Sequence, residues 1–599
     1  MRKSAWVIGA GLLFSSCRQK PAPKSSFDPS TYTYLTRAGT DTLDPDWSYD
    51  TASGMVILNI YEPLFTFHGS STQKLDPLIA TEVPSLQNGL ISKDGRVYTI
   101  PIRQGVRFQD GTPMTPEDVR YSILRFMLTD RDGGPSVLLL EPLLGESQTR
   151  DLNGKIKPGI YAKAAKAVQV RGSKLILTLP KPSAPLLAIL ATWAPILSEK
   201  WAASHGAWDG REKTWALFNN PKKQDSPFFE HANGTGPFSL ERWDRKNHEI
   251  VLKRNEFYWR KPAQLKRVII RGIDEFETRK LLLEAGDADS IRAGKDQLPQ
   301  LQNIPGIAIS DKLIIGTNPS AFFTFHISTA ANSFIGSGRL DGNGIPADFF
   351  SHKNIRKAFA YSFDFQGYIR DLENGTGVQP NGCIPTGLLG HNPNQKKYEL
   401  NLKKATAYFK KALGGQVWEK GFRFTLPYQS GSTAAEAVAH IFKHNIESLN
   451  PKFQIDTRPI DWPGLLDAMN SSKLPIFIIG WVADYPDPDD FAFPLMDSRG
   501  VYGSVQGYKS SRADYLIEKA ASAIDPKKRE ELYRQVQAIE YDDVPHLLIV
   551  EPSELRVQRS WVHGWVYNAI FPDSPYGSYF YPIYKKCPLL KRKASRPND

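Results

Sequence analysis

Four carboxylates, Asp484, Asp487, Asp489 and Asp490, crowd the segment Gly480-Trp481-Val482-Ala483-Asp484-Tyr485-Pro486-Asp487-Pro488-Asp489-Asp490-Phe491. Acidic groups at this density can hold a cation. Calcium does not suit the spacing, which lacks the one-three-five ligands, mid-loop glycine and terminal glutamate of a calcium-binding loop. A second pattern, His440-Ile441-Phe442-Lys443-His444, puts two histidines four apart on a helical segment. A zinc hydrolase of that spacing needs a glutamate directly after the first histidine as general base, and Ile441 stands there. No Cys/His cluster has zinc spacing, and no Gly-x-Ser-x-Gly nucleophile elbow occurs. The residues point to binding rather than catalysis, with no cofactor and no resident metal. The ligand chemistry that suits a fixed carboxylate is an organic cation. The competing reading of the same segment is an acidic loop that only caps a strand.

The elements around the segment favour a binding rim. Residues 475–480 form an apolar run that reads as a buried strand, and it delivers Trp481 and Asp484 at its end. Strand ends of open α/β sheets are where such folds bind ligands. Strand and helix signals alternate along most of the chain, which argues for α/β or α+β lobes. Strands are expected at 97–102, 175–179, 248–254, 265–271, 322–327, 422–428, 453–458 and 546–550. Thr115 reads as an N-cap with Pro116 at the first helical position, opening a helix to about Met127. Asp274 and Glu277 read as a capping-box pair before a helix that ends at Gly286. Further helices are expected at 183–190, 354–363, 402–413, 433–449, 512–523 and 526–541. Residues 129–160 and 328–350, rich in Gly and polar residues, read as loops.

At 599 residues the chain is too long for one ordinary core, so at least two lobes are expected. Its apolar, charged and aromatic fractions are those of a globular protein. No internal stretch reaches the ~18 apolar residues of a membrane span. The net charge is +12, of which Lys585, Lys586, Lys591, Arg592, Lys593 and Arg596, against Asp599, hold +5. The remainder is scattered without an Arg/Lys stripe, so no nucleic-acid partner is expected and the tail 585–599 reads as a solvated end.

The N-terminus carries an export signal. Arg2 and Lys3 form a basic n-region and residues 5–14 an apolar h-region. Phe14-Ser15-Ser16-Cys17 then resembles a bacterial lipobox, in which the Cys is diacylated and becomes the first mature residue. Phe14 departs from the usual leucine of that motif. Acyl chains at Cys17 would anchor the protein to a membrane, with residues 18–30 as a flexible tether. Cys383 and Cys587 remain, and two free thiols are the default expectation, with a disulfide between them as the alternative.

Residues 94–119 carry Ile102-Arg103-Gln104-Gly105-Val106-Arg107-Phe108-Gln109-Asp110-Gly111-Thr112-Pro113-Met114-Thr115-Pro116-Glu117-Asp118-Val119 after a strand. This resembles a signature of the large extracellular solute-binding proteins of ABC importers, the peptide- and nickel-binding family. There the pattern is Leu-Arg-x-Gly-Val-x-Phe, His-Asp-Gly-x-Pro and a helix opening Thr-Ala-x-Asp-Val. This chain has Ile102, Gln109 and Pro116 at the three departures. Physically the segment reads as scaffold, with Gly111 and Pro113 shaping a turn and Asp110 bonding local backbone. Other segments resemble the family in the same order: Leu43-Asp44-Pro45, Ile60-Tyr61-Glu62-Pro63-Leu64, Gly234-Thr235-Gly236-Pro237-Phe238, Tyr258-Trp259, Asn354-Ile355-Arg356-Lys357-Ala358 and the acidic segment itself.

The resemblance implies a periplasmic-binding-protein-like fold, two α/β lobes joined by two crossover strands with an additional domain beside lobe one. By order, lobe one takes 30–60, 170–272 and 545–590, the additional domain 61–169, and lobe two 273–544. The crossovers fall near 271–274 and 546–552. It further implies that Asp484 pairs with the α-amino group of a bound peptide and that Trp481 is a pocket wall. Gly480, Val482 and Tyr485 flank them, and Tyr61 and residues 41–43 are further candidates for the cleft lining. The implied partners are a peptide, an ABC permease in the cytoplasmic membrane and the membrane itself through the lipid, with the protein a monomer. The same fold with a nickel chelate, haem or an oligosaccharide as ligand, or a surface lipoprotein with a signalling role, are the alternatives.

Overall fold

The structure is a computed structural model that describes residues 27–37, 39–570 and 578–586. The expected export signal, Cys17, most of the expected tether, Cys587 and most of the basic tail lie outside the described residues. Among the described residues no helix is long and apolar enough to cross a membrane.

Lobe one is built on a seven-stranded mixed sheet. Its order is Ile307–Leu313, Ser553–Arg559, Ser290–Arg292, Thr31–Thr36, Arg267–Gly272, Glu249–Arg254 and Phe238–Asp244. Thr31–Thr36 sits at the centre, parallel to Ser290–Arg292 on one side and Arg267–Gly272 on the other. Tyr32 and Tyr34 on this strand point into the core and are fully buried.

The sheet corrects the expected boundary of lobe two. Ser290–Arg292 and Ile307–Leu313, read from the sequence as second-lobe residues, hydrogen-bond into the first lobe through Ser553–Arg559. The first crossing therefore lies after Leu313 rather than at 271–274. The return crossing runs through 549–552, and the two meet where Ile314 N–H donates to the Pro552 carbonyl at 3.1 Å.

Lobe two centres on Gly316–Phe323, flanked antiparallel by Ile476–Val482 and His546–Leu548. A parallel pair, Phe422–Gln429 and Phe453–Ile460, extends the lobe. Helices Lys353–Ser362 and Thr433–Glu447 pack their apolar sides on it, burying Phe359, Val438 and Phe442.

The additional domain holds a third sheet, Val97–Pro101, Lys174–Thr178 and Val168–Arg171. Lys174–Thr178 thus belongs here, because it pairs with both other strands. Helix Pro116–Thr129 starts as its sequence dictates, with Pro116 in the first turn and a Thr115–Asp118 capping box. The segment 129–160 is less irregular than its composition suggests. It contains helix Val137–Leu144, whose Leu139, Leu140, Leu143 and Leu144 are buried. The capping box expected from Asp274 and Glu277 does not form. Helix Phe276–Ala285 has Glu275 at its N-cap without a side-chain cap, while Gly286 ends it in the left-handed conformation as expected.

Candidate ligand-binding site between the lobes

Strand Ile476–Val482 enters lobe two buried at Ile476, Phe477 and Ile478 and emerges half-buried at Gly480, Trp481 and Val482. Gly480 is required by a close approach: a Cβ there would lie 2.5 Å from Asn318 Cβ. The Tyr502 hydroxyl donates to the Gly480 carbonyl at 2.9 Å, and the Trp481 ring meets the Tyr502 ring edge-on at 5.8 Å. Past the strand, Ala483 N–H still donates to the Ile315 carbonyl. The chain then turns and presents Asp484, 8% exposed, towards lobe one.

Lobe one reaches back to it. The Tyr49 hydroxyl donates to Asp484 Oδ2 at 2.6 Å. Trp193 Nε1 donates to the Asp484 carbonyl at 2.8 Å, and the Tyr49 and Trp193 rings pack at 5.6 Å. A cavity of about 550 Å³ opens beside this pair, lined by Pro45, Ser48, Asp50, Ile57, Tyr61 and Trp193 among others.

The other three aspartates are not solvated, as an acidic loop would lead one to expect. Asp490 Oδ2 accepts the Asp484 N–H at 2.8 Å, which fixes the turn. Arg529, from helix Pro526–Asp543, grips both oxygens of Asp487 at 3.0 and 2.6 Å, and both side chains are buried. The Tyr533 hydroxyl donates to Asp489. Burial, and then the charge of Asp487, push the Asp489 carboxyl up to about 7. Burial and the neighbouring Asp484 charge push Asp490 well above the usual carboxylate range. Asp489 and Asp490 also open helix Asp489–Met496, where its dipole favours acidic groups.

The cavity wall is set by the motifs read from the sequence. Arg125 donates to both oxygens of Asp44 at 2.7 Å and to Asp46 at 2.6 Å, all buried, which pins the loop carrying Pro45, Ser48 and Tyr49. Burial opposes the charge on Asp44, yet Arg125 holds its carboxyl below the usual range, while burial pushes Asp46 up to about 7. Glu62 turns away from the cavity and accepts from Tyr258 at 2.7 Å and Trp259 at 2.9 Å. The glycines 234 and 236 let their loop lie against the Ile60 carbonyl, which accepts from Gly236 N–H at 2.9 Å. Gln109 donates to the carbonyls of Ile60 at 2.8 Å and Phe238 at 2.7 Å. Asp110 accepts from Thr112 N–H and from Asn233. The signature segment is thus scaffold that holds Tyr61 in the wall.

Of the residues singled out in the sequence, Tyr61 lines the cavity, and Asp484 is joined to its wall through the Trp193 indole. Trp481 packs on Tyr502, and Tyr485, 7% exposed, is in the core. Asp41 pairs with Lys223 and Leu43 is fully buried, so neither lines the cavity. Tyr49 and Trp193 were not signalled, because their role comes from contacts 435 and 291 residues away in the chain.

Comparison with known proteins identifies the group. Residues 74–503 match the family described as "Bacterial extracellular solute-binding proteins, family 5 Middle". The chain belongs to this family. A relative of this solute-binding protein, the probable D,D-dipeptide-binding periplasmic protein DdpA of Escherichia coli strain K12, is 25% identical over 480 residues, 80% of each chain. The oligopeptide-binding protein OppA of Bacillus subtilis strain 168 is 24% identical over 531 residues, 87% of each. The fold matches the periplasmic binding protein DppA of Helicobacter pylori, solved with the peptide STSA, at a TM-score of 0.69 and 23% identity, over 93% of this chain and 98% of that one.

Proposed function

We propose that this solute-binding protein captures short peptides outside the cytoplasmic membrane and passes them to an ABC permease, doing no chemistry itself. The observation that carries the reading is the Asp484 carboxylate, buried between the lobes and bonded by Tyr49 from the opposite one. A peptide ammonium enclosed there needs a fixed anionic partner, since an unpaired buried charge is costly. The strand beside it supplies the second element. Ile476–Val482 is at the edge of its sheet, and its register turns the peptide group of Val482 away from Gly316–Phe323. An extended peptide can pair there as an added strand, which reads main chain and tolerates varied side chains. The names of the dipeptide- and oligopeptide-binding relatives agree with this ligand class.

Lobe opening by hinge motion about the two crossings would part Tyr49 from Asp484 and admit the ligand, and reclosure would enclose it. Cys17 would carry the lipid that keeps the protein at the membrane. Calorimetry with di- to pentapeptides tests the ligand class: binding of free peptides supports it, and binding of only haem, nickel chelate or oligosaccharide refutes it. Radiolabelled palmitate incorporation, lost in Cys17→Ser, tests the anchor.

A further inference from the structure

The cavity beside Tyr49 and Trp193 has a chemistry of its own, distinct from that of the Asp484 carboxylate. Its walls come from the loop 45–50, from helix Thr51–Ile60 with the residues after it, and from 192–195. Gly54, Ile57 and Leu58, with Tyr61 just past the helix end, recur at the three- and four-residue spacing of one helix face. One side of the helix is therefore turned to the cavity. That side keeps open surface: Gly54 and Leu58 are half-buried, and Ile57 is 9% exposed, as is Trp193. Gly54 adds no side chain to the wall. Prolines 45, 63 and 195 complete the apolar lining.

The polar side chains of the lining are already engaged within the protein. The Thr192 hydroxyl donates to the Ala188 carbonyl at 3.1 Å. The Ser48 hydroxyl donates to Asp50 at 3.5 Å, and Asp50 accepts the Ser53 N–H at 2.9 Å as the N-cap of the helix. The Trp193 indole N–H goes to the Asp484 carbonyl. Asp50 is the charged group of the lining, and a cation already stands near it. Burial lowers the Arg131 guanidinium from its ordinary range, and the Asp50 charge opposes that shift. A polar or cationic side chain entering the cavity gives up water without a new partner, which costs affinity. An apolar one gains in proportion to the area it buries.

The position of the cavity decides which part of a ligand reaches it. Trp193 is shared, since its indole bonds Asp484 at 2.8 Å while its ring walls the cavity. The cavity thus begins across a single indole from the amine anchor. In a peptide, the side chain one carbon away from the α-amino nitrogen is that of the first residue.

We infer that this cavity selects the first residue of the bound peptide, favouring a large apolar side chain over alanine or a charged one. Gly54 and Leu58 are then specificity-determining positions. The inference rests on the peptide reading of the interlobe site and adds to it the identity of the ligand's N-terminal residue.

Calorimetry on the full chain compares leucyl-trialanine, alanyl-leucyl-dialanine, lysyl-trialanine and tetraalanine. Leucyl-trialanine is expected to bind about tenfold or more tighter than tetraalanine, as burial of the added hydrocarbon requires. Lysyl-trialanine and alanyl-leucyl-dialanine are expected to show no such gain. Gly54→Leu puts a side chain into the cavity and is expected to bring the leucyl-to-alanyl affinity ratio close to one. Leucine is a better helix former than glycine, so the helix is expected to hold. Leu58→Gln, at a half-buried position, is expected to lower the same ratio severalfold and gives the readout if Gly54→Leu does not fold. Equal affinity for leucyl-trialanine and tetraalanine overturns the inference and leaves peptide capture standing. A gain that follows leucine at the second position, or that persists in both variants, overturns it as well. If no peptide binds, peptide capture itself fails and the inference falls with it.

Discussion

Replacing Asp484 with asparagine keeps the side-chain shape and removes its charge. The Tyr49 hydroxyl can still donate to the amide oxygen, and Asp490 still accepts the backbone N–H of residue 484, so the loop is expected to hold. An ammonium bound at a carboxylate only 8% exposed gives up most of its water. A hydrogen bond to a charged group is worth ~1.5–3 kcal/mol, and stripping one partner from a buried pair costs about 3–5 kcal/mol. The site retains some exposure, which puts the expected loss at about 3 kcal/mol, or roughly two orders of magnitude in Kd. Calorimetry with tetraalanine and N-acetyl-tetraalanine on both proteins closes a double-mutant cycle. Acetylation is expected to weaken wild-type binding about a hundredfold and Asp484→Asn binding far less. If acetylation weakens both proteins by the same factor, the amine is not the partner of Asp484 and the reasoning fails.

Three further outcomes are expected. Tyr49→Phe removes a 2.6 Å bond between the lobes, worth ~1 kcal/mol, and should raise the radius of gyration of the ligand-free protein in small-angle scattering. An unchanged radius would count against Tyr49 as a bridge. Burial pushes the Glu62 carboxyl from 4.5 up to about 7, so the folded state keeps a proton that the unfolded chain has lost. Its contribution to stability is fully present below pH 4.5 and is lost as pH rises through about 7, some ~3 kcal/mol in all. Urea unfolding at pH 5 and 8 measures that fall, and Glu62→Gln should flatten it; parallel slopes would show another group responsible. A Cβ on Gly234 would lie 2.2 Å from the Ile60 carbonyl oxygen, so Gly234→Ala should cost roughly 2–4 kcal/mol and lower the Tm. An unshifted Tm would mean that the loop yields freely there.

What could be read from the sequence was local. The Thr115 N-cap with Pro116 after it, the strand before it and the apolar run leading to Trp481 follow from neighbouring residues, and each forms close to its expected bounds. Helix Asp489–Met496 was hidden by its own prolines, since Pro488 sits at the N-cap and Pro494 inside. The burial of the acidic segment was not legible, because Arg529 and Tyr533, which bury it, lie more than 40 residues downstream. Ser290–Arg292 is only three residues long, too short for a pattern, and sheet position is not fixed by chain order. Family resemblance supplied the lobes and marked Asp484. Tyr49 and Trp193 needed the fold, since nothing beside them in sequence signals a partner in the other lobe.

The central claim is that a peptide lies between the lobes with its amino group on Asp484. A crystal structure of the protein with a bound tetrapeptide tests it most directly. The account expects the peptide nitrogen within about 3 Å of an Asp484 oxygen, with the peptide main chain paired to Val482. A ligand seated between the lobes with its amine away from Asp484, or a cleft that takes only a ligand without an amine, would contradict it.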